Sequence, residues 1–249
     1  MSLPSPLEIE RAGLKGWPGL EVEWDGHWVR RASNGYTKRA NSAQCFDPAD
    51  DGEAMHRVAQ TRRWFEDRGL QPVFRINLLS GPNLLAALDA GNWATIDRSL
   101  LVAMELGAFD MHPQGEVRGV HDAEFLAAQQ QLKSASDEDM QKLRDILGAL
   151  EVPAVGVVQR SPDGRAVASG LMVIADGIVL TGNVVTDSNE RRKGYGAAMM
   201  RTGLSWAQTH GARFAALNVA ADNAAGLALY ASLGYQPQYE YAYRVPGPA

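Results

Sequence analysis

The run Glu190-Arg191-Arg192-Lys193-Gly194-Tyr195-Gly196-Ala197-Ala198-Met199-Met200 joins a β-branched segment ending Val184-Val185-Thr186 to a helical pattern ending near His210-Gly211. Met199, Met200, Leu204, Trp206 and Ala207 recur at three-and-four spacing, which gives that helix one buried face. Gly194 and Gly196 stand two residues apart at the junction, just after three cations. Glycines there let backbone N–H groups close on an anion at the positive end of a helix. Cations at a helix start oppose its dipole, so an anionic ligand explains Arg191, Arg192 and Lys193 better than a solvated charge cluster does. The expected feature is a phosphate-holding loop.

Downstream, residues 214 to 219 read as a buried strand. Asp222-Asn223 opens a second helix through Ala225, Leu227, Leu229 and Tyr230, and Gly234 ends it as a left-handed cap would. Tyr239, Tyr241, Tyr243 and Val245 then alternate with polar or small residues, the period of a strand. These motifs together resemble the cofactor-binding half of the GNAT superfamily of acyl-CoA-dependent N-acyltransferases. The family's pyrophosphate loop, Arg/Gln-x-x-Gly-x-Gly/Ala, is met by Arg191, Gly194 and Gly196. Its later signature of Asn, Leu-Tyr and Gly-aromatic is met by Asn223, Leu229-Tyr230 and Gly234-Tyr235. The likeness is strong over the last third of the chain and extends over residues 120 to 249, the expected catalytic domain.

The segment ahead of the loop follows the family order. Residues 122 to 133 and 136 to 150 read as helices, the second opening on Ser136-Asp137-Glu138-Asp139 with acids at its positive end. Three strands follow, over residues 154 to 159, 166 to 173 and 178 to 186, joined by the turns Ser161-Pro162-Asp163-Gly164 and Asp176-Gly177.

The first hundred residues repeat part of this order. Asp25-Gly26 and Asn34-Gly35 are hairpin turns between expected strands at 20 to 24, 28 to 32 and 36 to 43. A helix at 52 to 68, a strand at 73 to 78, the helical run Pro82 through Trp93 and an apolar strand at 99 to 104 follow. This is a degenerate internal duplication. Where its phosphate loop belongs it has Phe46-Asp47-Pro48-Ala49-Asp50-Asp51-Gly52-Glu53, four carboxylates that repel pyrophosphate. Residues 1 to 112 are therefore expected to form a GNAT-like N-terminal domain without a cofactor loop, walling the acceptor cleft. In tandem members of the superfamily a silent N-terminal copy is familiar, and Arg39-Ala40-Asn41-Ser42 resembles a stretch common in such domains. His112-Pro113-Gln114-Gly115 through Gly119 reads as the linker. The expected fold class is α+β: two GNAT-like units, each a mixed, mostly antiparallel sheet flanked by helices.

Composition agrees. The 249 residues carry a net charge of -5 and are 45% hydrophobic, enough for a proper core and contrary to a general nucleic-acid surface. Cys45 is the only cysteine, which excludes internal disulfides and four-cysteine metal sites, and it reads as a small buried hydrophobe. Trp24, Trp28, Trp64 and Trp93 read as core. The five histidines lack ligand spacing, so no metal is expected. No apolar run has membrane length and the N-terminus lacks a signal-peptide pattern, so the expected address is the cytoplasm.

The resemblance implies acetyl-CoA as acyl donor and an amine acceptor, with the chain a monomer or homodimer. It implies that backbone groups of Val184, Val185 and Thr186 hold the pantetheine arm. The N–H groups of Arg192, Lys193, Gly194, Tyr195, Gly196 and Ala197 would take the pyrophosphate, helped by the charges of Arg191 and Arg192. Asn223 has two readings, a pantetheine contact and an ordinary N-cap. Tyr230 also has two, core residue and general acid beside the sulfur; the family match favours the acid. Many members carry a Glu on the fourth strand where this chain has Leu180, with Thr181 next to it. No base is assigned, and Asn183 remains a water-orienting alternative. An acyl-CoA sensor would keep the loop without the chemistry, and Tyr230 is the residue that favours an enzyme. The acceptor is unidentified, with a small molecule preferred to a protein amine and the acidic balance leaning towards a cationic one.

Overall fold

A computed structural model describes residues 2–107 and 113–248. The first half runs α1 (Pro6–Gly16), β1 (Glu21–Asp25), β2 (Trp28–Ala32), β3 (Ala43–Cys45), α2 (Ala54–Glu66), β4 (Phe74–Ile76), α3 (Pro82–Ala90) and β5 (Trp93–Glu105). The second runs β6 (Glu116–Gly119), α4 (Ala123–Lys133), α5 (Asp137–Gly148), β7 (Ala154–Arg160), β8 (Ala166–Ala175) and β9 (Ile178–Thr186). It closes with α6 (Tyr195–Thr209), β10 (Phe214–Ala220), α7 (Ala224–Ser232) and β11 (Gln236–Pro246).

The two halves share one eleven-stranded sheet in the order β1-β2-β3-β4-β11-β5-β10-β9-β8-β7-β6. Each half gives its last strand to the other. β5 lies antiparallel between β10 and β11, while β11 lies antiparallel between β5 and β4. The pattern is pseudo-symmetric: β3 runs parallel to β4 as β9 runs parallel to β10. Thirteen-residue β5 is buried from Leu101 to Met104, so the seam between the halves is core rather than a hinge.

Helices cover both faces. α6 and α7 pack on one, where Met199, Met200, Leu204 and Tyr230 meet Val102, Met172, Leu217 and Val219. On the other face α1 packs through Ile9 and Ala12 over the middle of the sheet, and α4 and α5 pack through Phe125, Leu143 and Ile146 over its C-terminal half. Gly156 admits Phe125 so closely that an added Cβ would fall 2.2 Å from its ring.

Several sequence expectations are corrected. The 36 to 43 segment is no strand: Asn41 accepts from the N–H of Ser33 and Gly35 and donates to the carbonyls of Tyr36 and Thr37. A side chain that satisfies four backbone groups removes them from a ladder, and Lys38–Ala40 winds into a 3-10 turn. Glu116–Gly119, read as linker, is an edge strand on β7; His112 lies outside the described residues. α1 was unforeseen, although Ser5 and Glu8 form a capping box and Pro6 opens the helix. Trp28, Trp64 and Trp93 are core, but Trp24 is 52% exposed on edge strand β1. Cys45 is buried, as expected, and burial raises its thiol pKa.

The N-terminal acids that replace a phosphate loop have structural partners. Asp51 accepts from the N–H of Asn83 and Leu84 at the start of α3, and Asp50 accepts from Arg57 at 2.9 Å.

Candidate active site

β9 and β10 pair in parallel from Phe214↔Ile178 to Leu217↔Thr181 and then part. Beyond that point residues 218 to 220 stay on β5, and residues 182 to 186 stay on β8. A bulge in β9 accompanies the parting. Its register on β8 slips between Leu171↔Gly182 and Ser169↔Val185, and Asn183 takes φ 53°. Buried Gln129 on α4 donates to the carbonyl of Asn183 at 3.1 Å and to Ser169 Oγ at 2.9 Å. Val184, Val185 and Thr186 follow the bulge on a half-buried edge facing the gap.

The glycine loop begins where that edge ends. Asp187 caps a short 3-10 turn, Ser188–Glu190, and the chain reaches α6 through Arg192 at φ 64° and Gly194 at φ 87°. As N-cap, Gly194 has no side chain to offer, so the N–H groups of Tyr195, Gly196 and Ala197 in the first turn have no capping partner. A Cβ on Gly196 would stand 3.1 Å from Thr186 Oγ1, so this glycine sets how near α6 comes to the parted strand. The three cations differ. Lys193 pairs with Glu190 at 2.8 Å, which raises its pKa, and Arg165 also reaches Glu190, at 3.2 Å. Arg191 and Arg192 are exposed, with no side-chain partner among the described residues.

Asn223 is an N-cap, its Oδ1 accepting from Gly226 N–H at 2.9 Å. That leaves Nδ2 for any further contact. Tyr230 packs under α7 on the α6 face, edge-on to Tyr235 at 5.9 Å. It is 8% exposed, its hydroxyl has no hydrogen-bond partner among the described residues, and burial pushes its pKa up to about 12. The phenol therefore keeps its proton at physiological pH.

The opposite face of the parting opens under α1. One chamber of about 30 Å³ touches Gly16, Trp17, Arg39, Leu180, Gly182 and Asn218. A second of about 30 Å³ runs from Arg39 and Asn218 to Glu10, Arg31 and Arg75. A wider mouth of about 260 Å³ also holds Arg39 and Asn218, bordered by Lys38, Asp97, Tyr241 and Tyr243. Residues of both halves line all three chambers.

Among the described residues that line these chambers, Glu10 and Asp97 are the acids, and both are paired with cations. Leu180 fills the expected position, packed so tightly on α1 that a Cβ on Gly16 would fall 2.4 Å from its Cδ1. Thr181 points to the other face and donates to Met172 Sδ at 3.3 Å. Glu10, the acid of the inner chamber, accepts from Arg75 Nε and Nη2, Gln44 and the Tyr239 hydroxyl. Burial alone would raise the pKa of Glu10, but Arg75 and these hydrogen bonds outweigh it and hold it below the usual value. Asn183 Nδ2 is buried without a partner.

The sequence names individual residues on the α6 and α7 side of the site; for the other side it offers only an N-terminal half expected to wall the cleft and the stretch Arg39-Ala40-Asn41-Ser42, while Trp17, Arg75 and Asn218 carry no motif. The one available signal was Asn41, two residues from Arg39 and able to hold its loop.

This arrangement, a parted parallel strand pair beside an uncapped glycine-led helix, is that of GNAT acetyltransferases. The chain belongs to the family described as "Probable histone acetyltransferase Rv0428c C-terminal", whose model matches residues 7–244. It is 26% identical to the "Uncharacterized N-acetyltransferase YobR" of Bacillus subtilis over 248 residues, covering 96% of this chain and 97% of that one. A 64-residue segment is 34% identical to the probable histone acetyltransferase Rv0428c of Mycobacterium tuberculosis, spanning 26% of this chain and 20% of that one. Among solved structures, a GCN5-related N-acetyltransferase from Kribbella flavida matches 100% of this chain and 98% of its own with a TM-score of 0.72 and 21% identity. A tandem GNAT protein from the clavulanic acid biosynthesis pathway matches 99% and 89% with a TM-score of 0.67 and 13% identity. Both share the fold. Among the described residues no helix is long and apolar enough to cross a membrane.

Proposed function

We propose that the chain moves an acetyl group from acetyl-CoA to the primary amine of a small-molecule acceptor, by direct attack in a ternary complex. The observation that carries this reading is the parting of β9 from β10 beside the uncapped start of α6, with chambers opening on the other side of the same gap. Free N–H groups at Tyr195, Gly196 and Ala197, with unpaired Arg191 and Arg192, fit a pyrophosphate. The half-buried, unpaired edge of Val184, Val185 and Thr186 fits an extended amide-bearing arm. The donor supplies an activated acetyl thioester.

The amine reaches the gap from the α1 face and the thioester from the α6 face. Holding both replaces a bimolecular encounter and supplies most of the rate. The new C–N bond forms as the C–S bond breaks, and the amine's proton leaves through water, since among the described residues the acids lining the chambers, Glu10 and Asp97, are already paired with cations. Tyr230 donates to the departing sulfur. At about 12 its pKa stands above the roughly 8.5 of a thiol, so it steadies a thiolate by hydrogen bonding rather than by giving up its proton first.

The test is calorimetry with acetyl-CoA on the wild type and on Gly196→Glu, which sets a side chain and a negative charge into the loop. Binding by the first and none by the second supports the reading. No binding by the wild type removes it. Binding without acetylation of any amine, unchanged in Tyr230→Phe, would mark a sensor instead.

A further inference from the structure

The inner chamber on the α1 face has an uneven charge balance. Arg31, Arg39 and Arg75 line it against one acid, Glu10. Glu10 is already taken by Arg75 at 2.8 Å, in a pair almost wholly buried. Arg31 is 3% exposed with no carboxylate partner; it donates instead to the carbonyls of Trp17 and Arg39, and its Nε has no partner. Arg75 is also 3% exposed, and its Nη1 has no partner. Burial pushes Arg31 down to about 10, which leaves it charged at neutral pH. Buried cations without counter-charge are costly, and they favour an anion brought into their chamber.

Arg39 is the arm that meets such an anion. Its guanidinium lies over the Trp17 ring at 5.0 Å, with no acid partner among the described residues. Nη1 lies 3.6 Å from where a Cβ on Gly182 would stand, directly against the parting of β9 from β10. Arg39 also lines all three chambers. At the mouth, Lys38 is neutralised by Asp97 at 2.9 Å, so the excess charge belongs to the arginines.

We infer that the acceptor is an amine carrying a carboxylate, which Arg39 grips on the α1 face while the amine points at the gap beside Gly182 and Asn218. A planar carboxylate matches a guanidinium fork, and the mouth of about 260 Å³, which Arg39 and Asn218 line, has the room for a small amino acid that the two chambers of about 30 Å³ behind it lack. The same charges repel a lysine-rich polypeptide. The inference rests on the acetyltransferase reading, whose own failure would show separately as absent acetyl-CoA binding.

The experiment offers α-, β- and γ-amino acids, their carboxamides, aminomethylphosphonate and a lysine-rich peptide to the full chain with acetyl-CoA. In parallel, calorimetry with CoA present compares N-acetyl amino acids with their amides as product probes. At least one free acid should exceed its amide tenfold or more in kcat/KM or in affinity. Arg39→Gln should lower kcat/KM for that acid by tenfold or more and for its amide by less than twofold, with acetyl-CoA affinity unchanged. Arg39→Lys should restore part of the preference, which controls for a folding defect. No acid better than its amide in either readout, the peptide or phosphonate preferred, or acid and amide falling equally in Arg39→Gln would each overturn the assignment.

Discussion

Gln129 donates from Nε2 to the backbone carbonyl of Asn183 at 3.1 Å, tying helix α4 to the bulge of β9. Asn183 sits at φ 53°, in the left-handed region that asparagine enters more readily than other residues with a side chain. The same amide bonds Ser169, which in turn donates to the carbonyl of Val157 at 2.9 Å. One fully buried side chain thus couples the helix, two strands and the point where β9 leaves β10.

Replacing Gln129 with Leu should therefore affect both stability and the site. Two buried acceptors lose their donor, at a cost of about 1–3 kcal/mol. Urea denaturation should move to a lower midpoint. Acetyl-CoA affinity should weaken in the variant even under conditions where it is fully folded. An unchanged affinity would mean that the bulge holds without Gln129.

The three loop cations should not contribute equally. Lys193 is engaged with Glu190, whereas Arg191 and Arg192 have no side-chain partner among the described residues. Arg191→Ala and Arg192→Ala should each weaken acetyl-CoA binding several-fold and reduce its dependence on salt, while Lys193→Ala has the smaller effect. Affinity measured at two ionic strengths checks this.

Glu10 should make the chain acid-sensitive. Although burial opposes it, Arg75, with hydrogen bonds from Tyr239 and Gln44, holds its folded pKa below the unfolded value. Its contribution is fully present above the unfolded pKa and is lost as pH falls through the folded one. Glu10→Gln leaves Arg31 and Arg75 buried without a negative charge, at a cost of about 3–5 kcal/mol. A thermal melt series between pH 3 and 7 should show the wild type losing stability on acidification and the variant starting low and depending less on pH.

Tyr230→Phe should lower turnover about 10²-fold with little change in acetyl-CoA affinity. Because burial raises the phenol to about 12, the wild-type rate should show no alkaline loss from Tyr230 near pH 10. The sign for stability is the reverse of that for Glu10. Burial raises the folded pKa, so this contribution is intact below the unfolded value near 10 and is lost as pH rises towards 12. A pH–rate profile and alkaline melts on both proteins test the pair of statements.

Most of the C-terminal half was legible in the chain because its signals are local. The 3.6-residue period of α6, the glycines at Gly194 and Gly196, the N-cap of Asn223 and the alternation of β11 all act within a few residues. So does the run of acids where the N-terminal half lacks a phosphate loop. Local signals also misled: Asn34-Gly35 does turn the chain, yet Asn41 then takes the backbone bonds that a strand would have used.

Tertiary packing alone decided the rest. The pattern of β5 specifies a buried strand but not its neighbours, and nothing within it says that β10 and β11 will flank it. Pairing depends on which sheet edges remain open once both halves have folded. The grouping of Arg31, Arg39 and Arg75 around one chamber has the same origin, since each comes from a different segment and is brought there by α1 and the shared sheet. Their charge is written in the sequence. The burial of Arg31 and Arg75 with one carboxylate between them, beside half-buried Arg39, gives the chamber its preference for an anion and exists only in the folded chain, where protein replaces the water that would otherwise solvate the guanidinium groups.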